Sequence, residues 1–164
     1  MCIRDRFNTM GPLLSPARPE FQIIGIANPG LGPTIAETMK TLGRTRALVV
    51  HGAGTDEIAV HGDTLVWELN DGEISHYTVA PAELGVDKHM LEDLRGGDGE
   101  ENAAAMRATF AGEGPAAHRD AVTVNAGAMI YLYGMADSLA KGTAHAKQLL
   151  ADGSVSQWLR THEE

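Results

Sequence analysis

The order strand, helix, strand near the start of the chain constrains the fold more than any other feature of the sequence. The run FQIIGIA, Phe21 to Ala27, is typical of a buried strand, and Thr34–Leu42 carries apolar residues at helical spacing before Gly43 ends it. ALVV, Ala47 to Val50, is the next predicted strand. The short connections between these elements favour a βαβ unit with parallel strands, and therefore an α/β fold.

A β-hairpin is predicted after this unit. Thr64–Leu69 and Glu73–Val79 are strand-like, and the sequence Asn-Asp-Gly between them is a strong hairpin signal. A hairpin adds antiparallel strands. We therefore predict one α/β domain with a mixed, largely parallel sheet, an antiparallel hairpin and flanking helices.

The second half of the sequence is predicted to be helical. Asp98 and Glu101 have the spacing of a capping box, so a helix is expected to begin at Asp98. Further helices are predicted over Arg119–Tyr133, Thr143–Ala151 and Val155–Arg160. On the second of these four helices, we expect the apolar face to lie in the core, including Met129, Ile130 and Tyr133.

Composition excludes several classes of protein. The 164 residues include 22 acidic and 13 basic ones, with a net charge of -9, so no basic surface for nucleic acid is expected. The longest nearly apolar stretch, Ala121 to Ala136, is shorter than the roughly 20 residues of a membrane span. The single cysteine, Cys2, cannot form an internal disulfide, and a cytoplasmic location is the default expectation.

Two adjacent carboxylates follow the second predicted strand. In the sequence LVVHGAGTDEI, Asp56 and Glu57 come after a glycine-rich turn at the carboxyl end of the strand, where α/β folds place their active sites. Carboxylate oxygens suit Mg²⁺, which takes one or two carboxylates together with water and phosphate oxygens. The alternative is a solvated turn with two ordinary surface acids, and Gly52 and Gly54 agree with either interpretation.

Other catalytic motifs are missing from the sequence. Seven histidines are scattered, with no pair at i,i+4 and no partner cysteines, so a zinc site is not expected. His51 is the only histidine near the acidic pair, and it is interpreted as a packed or loop residue. No phosphate-binding loop, dinucleotide fingerprint or nucleophile elbow occurs. The segment LRGGDGEEN could bind an anion at a helix start, but Asp98 occupies those donors and indicates a structural cap.

Several segments together resemble the anthranilate phosphoribosyltransferase family. FNTMGPLLSPARP is similar to a family segment containing Gly-Pro-Leu, LVVHGAGTDEI to its Asp-Glu loop, and LEDLRGGDGEENA to the sequence before a late helix. RDAVTVNAGAMIYLYGMADSL is similar to that helix. The segments occur in the family's order from Phe7 to about Leu159, which is far more specific than any one of them.

The resemblance implies a reaction and a set of residues. In this family the anthranilate amine displaces pyrophosphate from C1 of phosphoribosyl pyrophosphate, and no protein nucleophile is required. Asp56 and Glu57 would help to hold Mg²⁺, which neutralises charge on the leaving group. Gly11 and Pro12 would line the anthranilate passage, and Asn8 is a further substrate-binding candidate.

The sequence also departs from the family pattern. The Gly-Thr-Gly-Gly-Asp loop, the N-terminal helical domain and the arginine for the anthranilate carboxylate are not found. Residues 7–164 are therefore interpreted as the C-terminal part of the family's α/β domain, and residues 1–6, MCIRDR, as a non-native leader. We expect the full-length enzyme to be a homodimer and this chain by itself to be inactive.

Two alternatives remain open at this point. A pyrimidine nucleoside phosphorylase-like enzyme would share the fold and the ribosyl chemistry, but the Gly11–Pro12 segment and the acidic pair favour the transferase. A noncatalytic relative that binds nucleotide or RNA is the second alternative. The acidic composition opposes RNA binding, and the retained Asp56 and Glu57 oppose a loss of chemistry.

Overall fold

The computed structural model describes residues 11–162, which form two compact units. The sheet unit contains the described residues up to Ala59 together with Asp63–Val79, and the helical unit contains Val60–Gly62 and the residues from Ala80 onward. The sheet unit has four strands in the order β1-β2-β3-β4, at Phe21–Gly25, Arg46–Gly52, Thr64–Asn70 and Glu73–Val79.

The first two strands form the predicted βαβ unit. β1 pairs with β2 in parallel, and the helix between them, α1, spans Gly32–Thr41. Its buried positions, Gly32, Ile35, Ala36 and Met39, follow the spacing of one helical face. Gly32 is required because a Cβ there would lie 2.4 Å from the Trp67 ring on β3. Helix α1 therefore packs closely on the sheet.

The hairpin is formed by β3 and β4, as predicted. Asp71 and Gly72 connect the strands with φ angles of 48° and 85°, the left-handed conformation that a two-residue hairpin turn requires. β2 also pairs antiparallel with β3. The α/β class and the mixed sheet are confirmed, but only one of the three strand pairs in the described sheet is parallel, because only one helical crossover connects its strands.

A hydrophobic core lies between α1 and one face of the sheet. Its buried side chains come from all the elements of the βαβ unit and from β3: Ile24, Ile26, Ile35, Ala36, Met39, Ala47, Val49, Trp67 and Leu69. Leu13, from the start of the described chain, packs against the same core. Burial of this apolar surface is the main stabilising contribution in the unit.

Among its described residues, the helical unit contains four α-helices: α2 at Gly99–Phe110, α3 at Ala116–Leu132, α4 at Leu139–Ala151 and α5 at Ser154–His162. Asp98 caps α2 by accepting from the backbone N–H groups of Glu100 and Glu101, both at 3.0 Å, so the predicted capping box is confirmed. No helix among the described residues is long and apolar enough to cross a membrane.

Helices α3 and α4 approach each other closely at small residues. A Cβ at Gly127 would lie 2.4 Å from the Thr143 nitrogen, and one at Gly142 would lie 2.1 Å from the Gly127 oxygen. The prediction that Met129 and Tyr133 belong to the core is wrong, because they are 37% and 58% exposed. The closely packed face of α3 is the one that carries Gly127, so these larger side chains lie elsewhere on the helix.

Candidate functional site

The two parallel strands end side by side, and hydrogen bonds hold their ends together. Gly25 is opposite Val50 in the register, and the backbone N–H of Ile26 donates to the Val50 oxygen at 2.9 Å. His51 Nδ1 lies 2.8 Å from the Ile26 oxygen. Because a carbonyl only accepts, His51 must donate from Nδ1, and this histidine joins the two strand ends.

A tight turn follows β2. The backbones of Gly52 and Thr55 bond to each other in both directions, at 3.0 and 2.9 Å, and Thr55 Oγ1 donates to the Gly52 oxygen at 2.8 Å. Ala53 and Gly54 between them have φ angles of 46° and 98°. A left-handed conformation is unusual for alanine, and it is maintained here by the surrounding hydrogen bonds.

Two glycines allow the segment after the turn to lie against the strands. A Cβ on Gly25 would lie 1.6 Å from the backbone oxygen of Asp56, and one on Gly52 would lie 2.3 Å from the backbone oxygen of Glu57. Ile58 is buried, and the backbone N–H of Ala59 donates to Thr64 Oγ1 at 2.9 Å. The backbone of the Asp56–Glu57 pair is therefore fixed on both sides.

The side chains of this pair are exposed. Among residues 11–162, no ion pair involves either carboxylate. Two accessible carboxylates on a fixed backbone fit a hard divalent cation such as Mg²⁺. Within the described part of the chain, no group of three or more His, Cys, Asp or Glu side chains could hold a metal, so the pair would leave most of the coordination shell to water or substrate.

The Gly11–Pro12 segment contacts a different part of β1. Gln22 Nε2 donates to the Pro12 oxygen at 2.9 Å, next to the second residue of the strand, whereas Asp56 packs on Gly25, its last residue. Because substrate and metal would meet at the same carbon, the resemblance predicts that this segment and the acidic pair lie at one end of the sheet. Their contacts lie instead toward opposite ends of β1, about 10 Å apart at roughly 3.3 Å per residue. Asn8 lies outside the described residues.

A charged cluster in the helical unit was not predicted. His89 Nε2 lies 2.8 Å from Asp120 Oδ2, Lys147 Nζ lies 3.4 Å from Asp120 Oδ1, and Lys147 donates to the Gly85 oxygen at 2.7 Å. The cluster connects the segment around Gly85 to helices α3 and α4. The Arg-Asp motif at the start of α3 is visible in the sequence, but its partners lie 31 and 27 residues away and carry no local signal.

Comparison with known proteins identifies the family. Residues 2–156 match the profile described as "Glycosyl transferase family, a/b domain". The chain belongs to this family. Within the glycosyl transferase family, it is 66% identical over 162 residues to the anthranilate phosphoribosyltransferase of Corynebacterium aurimucosum, covering 99% of this chain and 47% of that protein.

More distant relatives agree. The anthranilate phosphoribosyltransferase of Shewanella sp. (strain W3-18-1) is 46% identical, over 95% of this chain and 45% of its own length. The crystal structure of the Thermus thermophilus enzyme has a TM-score of 0.86 at 38% identity, covering 94% of this chain and 46% of that one. The resemblance seen in the motifs is confirmed, and the chain spans about half the length of the curated relatives it matches.

A yeast structure shares the fold. The Saccharomyces cerevisiae anthranilate phosphoribosyltransferase in complex with PRPP and Mg has a TM-score of 0.80 at 23% identity, covering 94% of this chain and 45% of that one. At this identity the likeness shows the fold alone.

Proposed function

We propose that this chain is part of an anthranilate phosphoribosyltransferase, which transfers phosphoribosyl from phosphoribosyl pyrophosphate to the amine of anthranilate in tryptophan biosynthesis. The observation that carries this proposal is the fixed loop that exposes Asp56 and Glu57 where β1 and β2 end. The relatives at 66% and 46% identity, which bear that name, support it. Their name gives no support to the nucleoside phosphorylase or to the noncatalytic alternative.

The Asp56–Glu57 pair is assigned to magnesium. The two carboxylates would contribute oxygen ligands, and the contacts of Gly25 and Gly52 would keep their backbone in place as substrate binds. Bound Mg²⁺ supplies neutralisation of the negative charge that builds on the departing pyrophosphate.

The Gly11–Pro12 segment is assigned to the anthranilate passage. Among the described residues, no atom lies within 4 Å of the position a Cβ would take on Gly11. The similarity of this segment to the family segment containing Gly-Pro-Leu supports the assignment. Asn8 remains a further substrate-binding candidate. We also expect the complete enzyme to be a cytoplasmic homodimer.

The test uses a hybrid enzyme, in which residues 7–164 are joined to the part of the Corynebacterium aurimucosum relative that they do not cover. We expect this hybrid to consume anthranilate only with phosphoribosyl pyrophosphate and Mg²⁺. Replacing Asp56→Asn and Glu57→Gln together should lower turnover roughly 100-fold, because charge stabilisation by a metal is worth several kcal/mol. Anthranilate fluorescence measures the rate over a Mg²⁺ titration.

The matched control is Asp87→Asn with Glu92→Gln, which removes the same charges from exposed positions of the helical unit. This control should leave turnover and its Mg²⁺ dependence unchanged. Unchanged turnover of the Asp56→Asn, Glu57→Gln variant at limiting Mg²⁺ contradicts the metal assignment. A folded hybrid without activity contradicts the proposed reaction itself.

A further inference from the structure

A buried arginine orients a glutamine side chain at the start of β1. Arg44 is only 5% exposed, and its Nε donates to Gln22 Oε1 at 2.9 Å. A second guanidinium nitrogen, Nη1, lies 3.5 Å from the Leu42 oxygen. Arginine has donors but no acceptor, so the oxygen of the Gln22 amide must face Arg44. The amide nitrogen is thereby turned the other way.

The freed amide nitrogen holds the Gly11–Pro12 segment. Gln22 Nε2 donates to the Pro12 oxygen at 2.9 Å. Proline has no backbone N–H, so this carbonyl is the only backbone hydrogen-bonding group of Pro12. The same segment also begins a turn, in which the backbone N–H of Leu14 donates to the Gly11 oxygen at 3.2 Å.

We propose that Gln22, oriented by Arg44, is a positioning residue that sets where the Gly11–Pro12 backbone lies along the anthranilate passage. The role of that passage rests on the proposed function. The relay runs in one direction, from the Arg44 guanidinium through the Gln22 amide to the Pro12 carbonyl. Leu13 packs against the core, but Gly11 and Pro12 are exposed, so the hydrogen bond from Gln22 restrains the part of the segment that packing does not hold.

The sharpest variant is Gln22→Glu, because it keeps the shape of the side chain and its acceptor for Arg44. A carboxylate has no N–H, so it cannot donate to the Pro12 carbonyl and instead places an acceptor against an acceptor. The matched control is Gln148→Glu, the same change at an exposed position of α4. Gln22→Met, which removes both hydrogen bonds at similar length, provides a second variant if the first does not fold.

The first measurement needs no substrate and uses the 164-residue chain. Amide hydrogen exchange of Leu14, followed by NMR, should become roughly fivefold faster in Gln22→Glu, as expected for the loss of one neutral hydrogen bond. Exchange in β2 and β3 should not change, and Gln148→Glu should behave like the parent. Equal exchange of Leu14 in parent and variant overturns the relay, whatever the enzyme catalyses.

The second measurement uses the hybrid enzyme. Gln22→Glu should raise the KM for anthranilate roughly fivefold, while the KM for phosphoribosyl pyrophosphate changes little. A general structural defect would change the KM for both substrates, or it would lower kcat and leave both KM values unchanged. If Leu14 exchange responds and the KM for anthranilate does not, the positioning role is overturned, and the relay is only a structural contact.

Discussion

Two glycines hold the backbone of the candidate site in place. Gly25 and Gly52 let the backbone of Asp56 and Glu57 approach the strand ends, at distances where any Cβ would clash. The carboxylates remain exposed while their backbone is fixed. The position of the acidic pair therefore depends on two glycines that carry no functional group themselves.

Replacing Gly25→Ala is predicted to destabilise the chain and to move the acidic pair. The added methyl would lie 1.6 Å from the Asp56 oxygen, a backbone atom that cannot turn aside as a side chain can. Overpacking of this kind typically costs about 1–3 kcal/mol of the free energy of unfolding. Urea denaturation followed by tryptophan fluorescence should show a lower midpoint.

Gly99→Ala is the control for this prediction, because no atom lies within 4 Å of the added carbon and Gly99 begins α2. Alanine should be neutral or slightly stabilising there. A midpoint for Gly25→Ala equal to that of the parent would show that the loop yields easily and does not fix Asp56.

At the residue scale, the sequence located the acidic pair but not the residues that hold it. Asp56 and Glu57 follow a recognisable strand and turn, so their place at the strand end could be predicted from local pattern. Gly25 lies 31 positions earlier than Asp56, and the contact between them exists only once β1 and β2 pair. For the same reason the relay from Arg44 to Pro12 could not be seen.

At the scale of elements, turns and caps were the most predictable features. The Asp71–Gly72 turn and the Asp98 cap depend on residues within a few positions of one another, and both were predicted. The packing face of α3 was not predicted correctly. Large apolar residues such as Met129 and Tyr133 indicated one face, whereas the close contact with α4 is made at Gly127. Small residues leave a weak signal in hydrophobic periodicity.

Gly142→Ala tests the contact between α3 and α4. Alanine favours a helix by up to about 1 kcal/mol over glycine, but its Cβ here would lie 2.1 Å from the Gly127 oxygen. Because overpacking costs about 1–3 kcal/mol, we expect a net loss and a fall in Tm of at least ~2 °C. Circular dichroism at 222 nm measures it. A higher Tm would mean that the two helices can move apart at no cost in stability. Gly99→Ala is again the control, because it makes the same change at a position with space for the added carbon.

At the scale of the whole molecule, the sheet is open on one side of the βαβ unit. Among residues 11–162, β1 pairs only with β2, so its outer edge has no strand partner. The chain also spans about half the length of its curated relatives. Exposed strand edges promote association between chains, so we expect the isolated chain to self-associate.

The 164-residue chain by itself is predicted to have no measurable anthranilate phosphoribosyltransferase activity. The Gly-Thr-Gly-Gly-Asp sequence does not occur in it, and the reaction depends on holding diphosphate, metal and amine together. The measurement is anthranilate fluorescence with phosphoribosyl pyrophosphate and Mg²⁺, for the chain beside the hybrid enzyme. Equal rates for the two would show that residues 7–164 contain the whole site.

The order of the two units along the chain also affects how the protein folds while it is being synthesised. The chain leaves the sheet unit for Val60–Gly62 and returns to it at Asp63. Val60 is fully buried, and its oxygen accepts from the N–H of His89 at 2.9 Å. A ribosome releases all four strands before His89, so the sheet can pair while Val60 still lacks this donor. The hydrogen bond between Val60 and His89 can therefore form only after all four strands have been synthesised.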